Sequence, residues 1–178
     1  TDAERGVWKA PAGTWAVMAG ASDVAAAVTE REAEALHAAG VNVIRRFGGG
    51  PPVAWGGRTL ASPEEGEWKY VNVRRLFIFL EHSIDKATQW AVFEPNNERL
   101  WASIRQTIED FLRVVWLTGA LLGTRAEEAF FVRCDRSTMT EDDIANGRLI
   151  VQIGIAPVKP AEFVIFRISQ WQGGSAVE

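Results

Sequence analysis

An α+β fold, with a mixed β-sheet and two long antiparallel helices on one face, is predicted by three features of the chain. Two long stretches, 70–90 and 97–119, carry apolar residues at three- and four-residue spacing. Short runs rich in β-branched and aromatic residues lie on either side of them. The last run, Gly147–Trp171, holds two strand-like segments, Arg148–Ala156 and Glu162–Gln170, separated by Pro157-Val-Lys-Pro160. Two prolines that close together cannot both sit inside a ladder, because proline lacks an N–H and fixes φ. The second segment is bulky on both faces, so it reads as a buried central strand or as a strand able to join a neighbour's sheet.

Taken in order, Thr1–Gly6 reads as a helix end stopped by glycine, and a start on a clipped element suggests a piece of a longer protein. Extended chain follows, with Trp15–Met18 and Val24–Val28 as short strands. Thr29-Glu-Arg-Glu32 is a capping box opening a helix with Ala33, Leu36 and Ala39 on its apolar side, and Gly40 ends it. Val41–Phe47 and Val53–Leu60 read as strands around the breaker-rich Gly48–Pro52, and Ser62–Gly66 as a turn. That glycine-rich loop lacks the Gly-Lys-Ser/Thr ending of a phosphate loop.

The first long helix is Tyr70–Trp90, with the stripe Val73, Leu76, Phe77, Leu80, Ile84 and Ala87. Asn97 is placed to cap the second, whose stripe is Leu100, Ile104, Ile108, Phe111 and Val115. A short connection makes the two antiparallel. Thr124-Arg-Ala-Glu127 reads as a second capping box, Phe130–Asp135 as a strand, and Thr140–Asn146 as a short helix capped by Thr140 and stopped by Gly147. The expected core includes Phe77, Phe79, Phe111, Phe130 and Phe131. Residues 1–178 are expected to form one domain, with 173–178 a frayed tail.

The formal net charge is -4 and the pI about 5.3, which argues against general nucleic-acid binding. One cysteine, Cys134, allows no internal disulfide and fits a reducing compartment. No apolar run approaches the roughly 18 residues of a membrane span. Eight tryptophans suit either a large core or large contact surfaces. Cys134 with His82 or His37 as base is the one nucleophile arrangement on offer, and it would make the protein a small cytosolic enzyme; a small buried residue in a strand is the simpler account. Two histidines and one cysteine give no metal-site pattern, and no cofactor is expected.

Several segments together carry a resemblance. They are Asp2–Ala12, Val41–Arg46, Trp55–Leu60, Trp68–Arg75, Gln89–Asn96, Phe131–Asp135, Gly147–Ile150 and Ala156–Ile168. In this order they resemble the C-terminal part of contractile tail sheath proteins: phage tail sheaths, R-type pyocin sheaths and related injection systems. The resemblance implies a structural subunit and not an enzyme. Copies would stack as rings around an inner tube and contract to drive it through a target envelope. It implies the tube, baseplate and terminator proteins as partners, without nucleic acid or membrane insertion. Assembly would take place in a bacterial or host cytoplasm, and the product would be a virion tail or tail-like particle. This chain would be the tube-facing domain, lacking the arm and outer domain that precede it in the family.

On that reading the inter-subunit strand is Glu162, Phe163, Val164, Ile165, Phe166, Arg167, Ile168, Ser169, Gln170 and Trp171, with Pro157 and Pro160 as hinge. Charged residues at helix ends and turns, Glu94, Arg99, Glu127 and Glu128, are candidates for a polar, reversible tube contact.

Overall fold

Two helices, α3 (Val71–Thr88) and α4 (Glu98–Leu117), form the centre of the core of the computed structural model, which describes residues 2–61 and 66–162. Each buries one stripe: Val73, Leu76 and Leu80 from α3, and Leu100, Trp101, Ile104, Ile108, Leu112 and Val115 from α4. Leu112 takes the central place expected for Phe111, because four-residue steps from Ile104 and Ile108 stay closest to one line on the helix. Phe111 flanks that line, half-buried, its ring 6.1 Å from that of Phe79. Asn72 at the start of α3 and Gly119 just past the end of α4 both lie against Trp8, so the helices run antiparallel as expected. Ile84 is half-buried against the core and Ala87 is exposed.

The termini are fixed locally. Asn97 accepts from the N–H groups of Arg99 and Leu100 at 3.0 and 3.1 Å, capping α4. The N-terminus of α3 has no side-chain cap at Tyr70, and the Val71 N–H is satisfied instead by the Gly57 carbonyl at 2.9 Å. A 3-10 turn, Gln89–Ala91, ends α3. The expected capping box at Thr29 forms on α2 (Glu30–Ala38), and α6 (Glu141–Ala145) carries a further one, between Thr140 and Asp143. The box at Thr124 is displaced by one residue. Arg125 is the N-cap of α5 (Ala126–Ala129), and Glu128, not Glu127, reaches back to the Thr124 N–H at 3.0 Å.

Among the described residues the sheet is divided into two antiparallel ladders and is not one mixed sheet. β1 (Val43–Arg46) pairs with β2 (Pro52–Trp55), and β3 (Phe130–Arg133) pairs with β4 (Gln152–Ile155). Every strand is four residues long, and glycines and prolines punctuate the chain around β1, β2 and β4. The first ladder is flanked by 13–18, where Val17 forms a single bridge to Val53, so the expected strand Trp15–Met18 is reduced to a strap. Val24–Val28 is not a strand. The second ladder packs on α4 and buries one face, leaving Phe131 outward. The expectation that Phe79 and Phe131 are core residues is therefore corrected, for both stand about half exposed on outer faces. Phe77 is half-buried, edge-on to Trp68 at 5.0 Å. A short helix α1 (Asp2–Arg5) starts the chain, closed by Gly6 at φ 86°. Residues 62–65 of the expected turn Ser62–Gly66, and the expected strand from Phe163 onward, lie outside the described residues.

Candidate inter-subunit surface

Beyond β4 the chain does not leave the fold at the first proline. The Ala156 N–H donates to the Ala129 carbonyl at 2.8 Å, and the Leu122 N–H donates to the Ala156 carbonyl at 2.8 Å. Pro157 bridges Leu121, and the Val158 N–H donates to the Ala120 carbonyl at 3.1 Å. Buried Asn72, on α3, spans the gap opposite: its Nδ2 donates to the Trp8 carbonyl at 2.9 Å and the Val158 carbonyl at 3.4 Å. Of the two residues expected to form a hinge, Pro157 thus sits in a backbone-paired stretch. Pro160 lies between the last paired residue, Val158, and the next fixed point, Glu162.

Glu162 is held by charge. Arg58 donates to it with both Nε (2.7 Å to Oε1) and Nη2 (2.8 Å to Oε2), a bidentate pair. The Tyr70 hydroxyl donates to Oε2 at 3.0 Å, and Lys69 Nζ lies 3.4 Å away. The side chains of Arg58 and Glu162 are 13% and 17% exposed. Arg58 is itself fixed: its N–H donates to Asn42 Oδ1 and its carbonyl accepts from Asn42 Nδ2, both at 2.8 Å, while Nη1 donates to the His37 carbonyl. The Arg58 bonds hold the Glu162 carboxyl at a pKa of about 2, well below the ordinary carboxylate range. A groove of about 590 Å³ opens beside this cluster, lined in part by Trp8, Gly57, Asn72 and Val158. The Asn72 Oδ1 faces no hydrogen-bond partner among the described residues.

The other expected site residues fall into two places. Glu94 and Arg99 lie at the N-terminal end of α4, and Glu127 and Glu128 lie on α5, just beyond its C-terminal end. All four are exposed. A helix of 20 residues, about 30 Å, separates the groups, so they do not form one small patch. Glu128 is engaged with Thr124 and Arg125, which lower its pKa.

Cys134 is buried at the end of β3, and burial together with Asp135 raises its thiol pKa. The depression above it is lined by Glu98, Trp101, Arg105 and Asp135, among others, and by no histidine among the described residues. Burial and a raised pKa both lower thiolate reactivity, so the arrangement gives no support to a nucleophile. Among the described residues there is no metal-binding group of three or more His, Cys, Asp or Glu side chains, and no helix is long and apolar enough to cross a membrane.

One surface feature escaped the sequence reading. The connection between α3 and α4 presents Trp90, Val92 and Phe93 to solvent, with Phe93 fully exposed at φ 71°. A non-glycine residue in that region is strained, and a ring without contacts offers no compensation within the subunit. Replacing Phe93 by Asn, which tolerates this conformation, is expected to raise stability by about 0.5–1 kcal/mol in denaturant unfolding. A lower midpoint for Phe93→Asn would mean that the ring packs after all.

Comparison with known proteins places these features. Residues 64–170 match the family model described as the phage tail sheath C-terminal domain. The chain is 27% identical over 165 residues to the tail sheath protein of Vibrio phage KVP40 and 24% identical to that of Enterobacteria phage T4. In each case 92% of this chain is covered and 24% of the relative. Among solved structures, a chain of the anti-feeding prophage baseplate is similar at a TM-score of 0.88 and 46% identity, over 96% of this chain and 47% of that one. A chain of the PVC extracellular contractile injection system sheath complex in its contracted state is similar at 0.88 and 38% identity, over 96% and 48%. This chain therefore spans about a quarter of the curated relatives and about half of the solved chains. It belongs to the phage tail sheath C-terminal domain family.

Proposed function

We propose that this chain is the tube-facing domain of a longer contractile sheath subunit. In that role copies assemble as a helical stack around an inner tube and contract to drive it through a target envelope. The observation that carries the reading is likeness along 96% of the chain, at 46% and 38% identity, to chains of two contractile systems. Sheath copies, the tube, and the baseplate and terminator proteins are its partners in this proposal. Assembly takes place in the cytoplasm of the producing bacterium or host. The two charged groups, Glu94 with Arg99 and Glu127 with Glu128, are separate candidates for the tube contact. Charge reversal of one group at a time, read as tube-templated assembly, drops any group whose reversal has no effect.

The segment Glu162–Trp171 is proposed to pair with a sheet edge of a neighbouring subunit. Its support is chemical: Phe163, Val164, Ile165, Phe166 and Ile168 form a strongly apolar run, with Glu162 and Arg167 as its charges. Such a strand must be covered, and pairing with a second chain covers it. Deleting 163–178 from the full-length protein is expected to leave the subunit folded, by circular dichroism, and to abolish regular sheaths in electron micrographs. Regular sheaths built by the truncated protein would refute strand donation.

A further inference from the structure

We infer that Arg58, Lys69 and Tyr70 form a permanent pivot on Glu162, which stays closed in the free and the assembled subunit and sets the point and direction from which the chain beyond residue 162 reaches a neighbour. The inference rests on the proposed strand exchange and adds the device that makes it work.

Three observations support it. Among the described residues the last backbone bond of the C-terminal path is at Val158, so a side-chain anchor beyond it fixes the chain past Lys159–Ala161. Glu162 supplies that anchor through a bidentate pair with Arg58, both side chains largely buried, together with a phenol and the more exposed ammonium group of Lys69. The receiving arginine is tied to three other parts of the fold: Asn42 before β1, the His37 carbonyl in α2, and Tyr70 at the start of α3 through a backbone bridge. It therefore belongs to the rigid body and does not follow the arm.

A fixed root has two physical consequences. It fixes the point from which a following segment starts, which raises the effective concentration of that segment at a neighbour's edge and lowers the ordering cost of pairing. It also places a charge-assisted contact in the path of any pull along the final segment, ahead of the bonds at Val158, Pro157 and Ala156.

The test uses the full-length protein with Cys134→Ala as parent, carrying Arg58→Cys and Glu162→Cys. Free subunits are joined with a short, reducible bis-maleimide, purified as monomers, and assembled on tubes. The uncrosslinked double variant is expected to form sheaths about tenfold less efficiently than the parent, while the crosslinked one recovers to within about twofold. Thermal melting of both checks that the subunit is folded. Two results overturn the pivot: parent-like assembly of the uncrosslinked variant, or failure of the folded, crosslinked chain to assemble. Recovery of that chain on reduction would show further that the contact must open. These outcomes are separate from failure of strand donation itself, which would appear as sheaths built by the 163–178 deletion.

Discussion

Replacing Ile108 by alanine is expected to lower the stability of the domain by about 2–5 kcal/mol. Ile108 is 2% exposed at the centre of the α4 stripe, in one cluster with Leu76 and Leu80 of α3 and with Phe130 and Val132 of β3. Both sides of the site are regular elements that cannot collapse easily into the space left by the lost carbons, so the cavity term adds to the transfer term. For a chain of this size that loss lowers the melting midpoint by about 4–20 °C. Phe111→Ala is the control. It removes more atoms from the same helix, but from a half-buried ring whose main aromatic partner, Phe79, is itself exposed on one side. It is expected to cost less than Ile108→Ala despite the larger deletion. A midpoint unmoved by Ile108→Ala, or a larger loss from Phe111→Ala, would show that the centre of the core has been misplaced.

Ile108 was legible from sequence because helix burial is periodic, and a stripe of sufficient length averages out local ambiguity. The shift from Phe111 to Leu112 marks the limit of that reading. Both residues are apolar and adjacent, each one helical step of three or four from Ile108, and the four-residue step is the one that faces the core. Caps were readable where one side chain and one backbone group decide the matter, as at Thr29, Asn97 and Thr140. At Thr124 two consecutive glutamates offered two registers, and the chain uses Glu128. Strands were harder. Their four-residue ladders are shorter than the apolar runs that contain them, and β3 and β4 pair across an intervening helix. The pair Arg58–Glu162 left no sequence signal, since its members are 104 residues apart and no period links them. Function came from ordered motifs shared with a family, not from any one residue.

Arg58→Ala is expected to lower stability by about 1–2 kcal/mol between pH 5 and 8, and to lose that effect in acid. The Glu162 carboxyl titrates at about 2 in the folded protein, against an ordinary value of 4.5, chiefly because Arg58 donates to its charged form. A depressed folded pKa gives stability that is fully present above the unfolded value and is lost as pH falls through the folded value. The gap between the parent and Arg58→Ala should therefore be flat down to about pH 5 and narrow steadily toward pH 2. The pair is partly reached by solvent, which places the expected energy below what the full displacement of the pKa would give. Lys69 and Tyr70 remain in the variant and keep part of the stabilisation, so the loss is that of one partner and not of the whole cluster. Asp143 is likewise held at about 2, by Thr140 and Arg148, and will tilt both unfolding curves in acid. It is unaltered by the substitution and cancels in the difference. Chemical unfolding of both proteins at half-unit steps from pH 2.5 to 8 measures the gap directly. A gap that stays constant to pH 2.5, or that widens in acid, would show that Arg58 acts through packing and its bond to the His37 carbonyl, and not through the charge on Glu162.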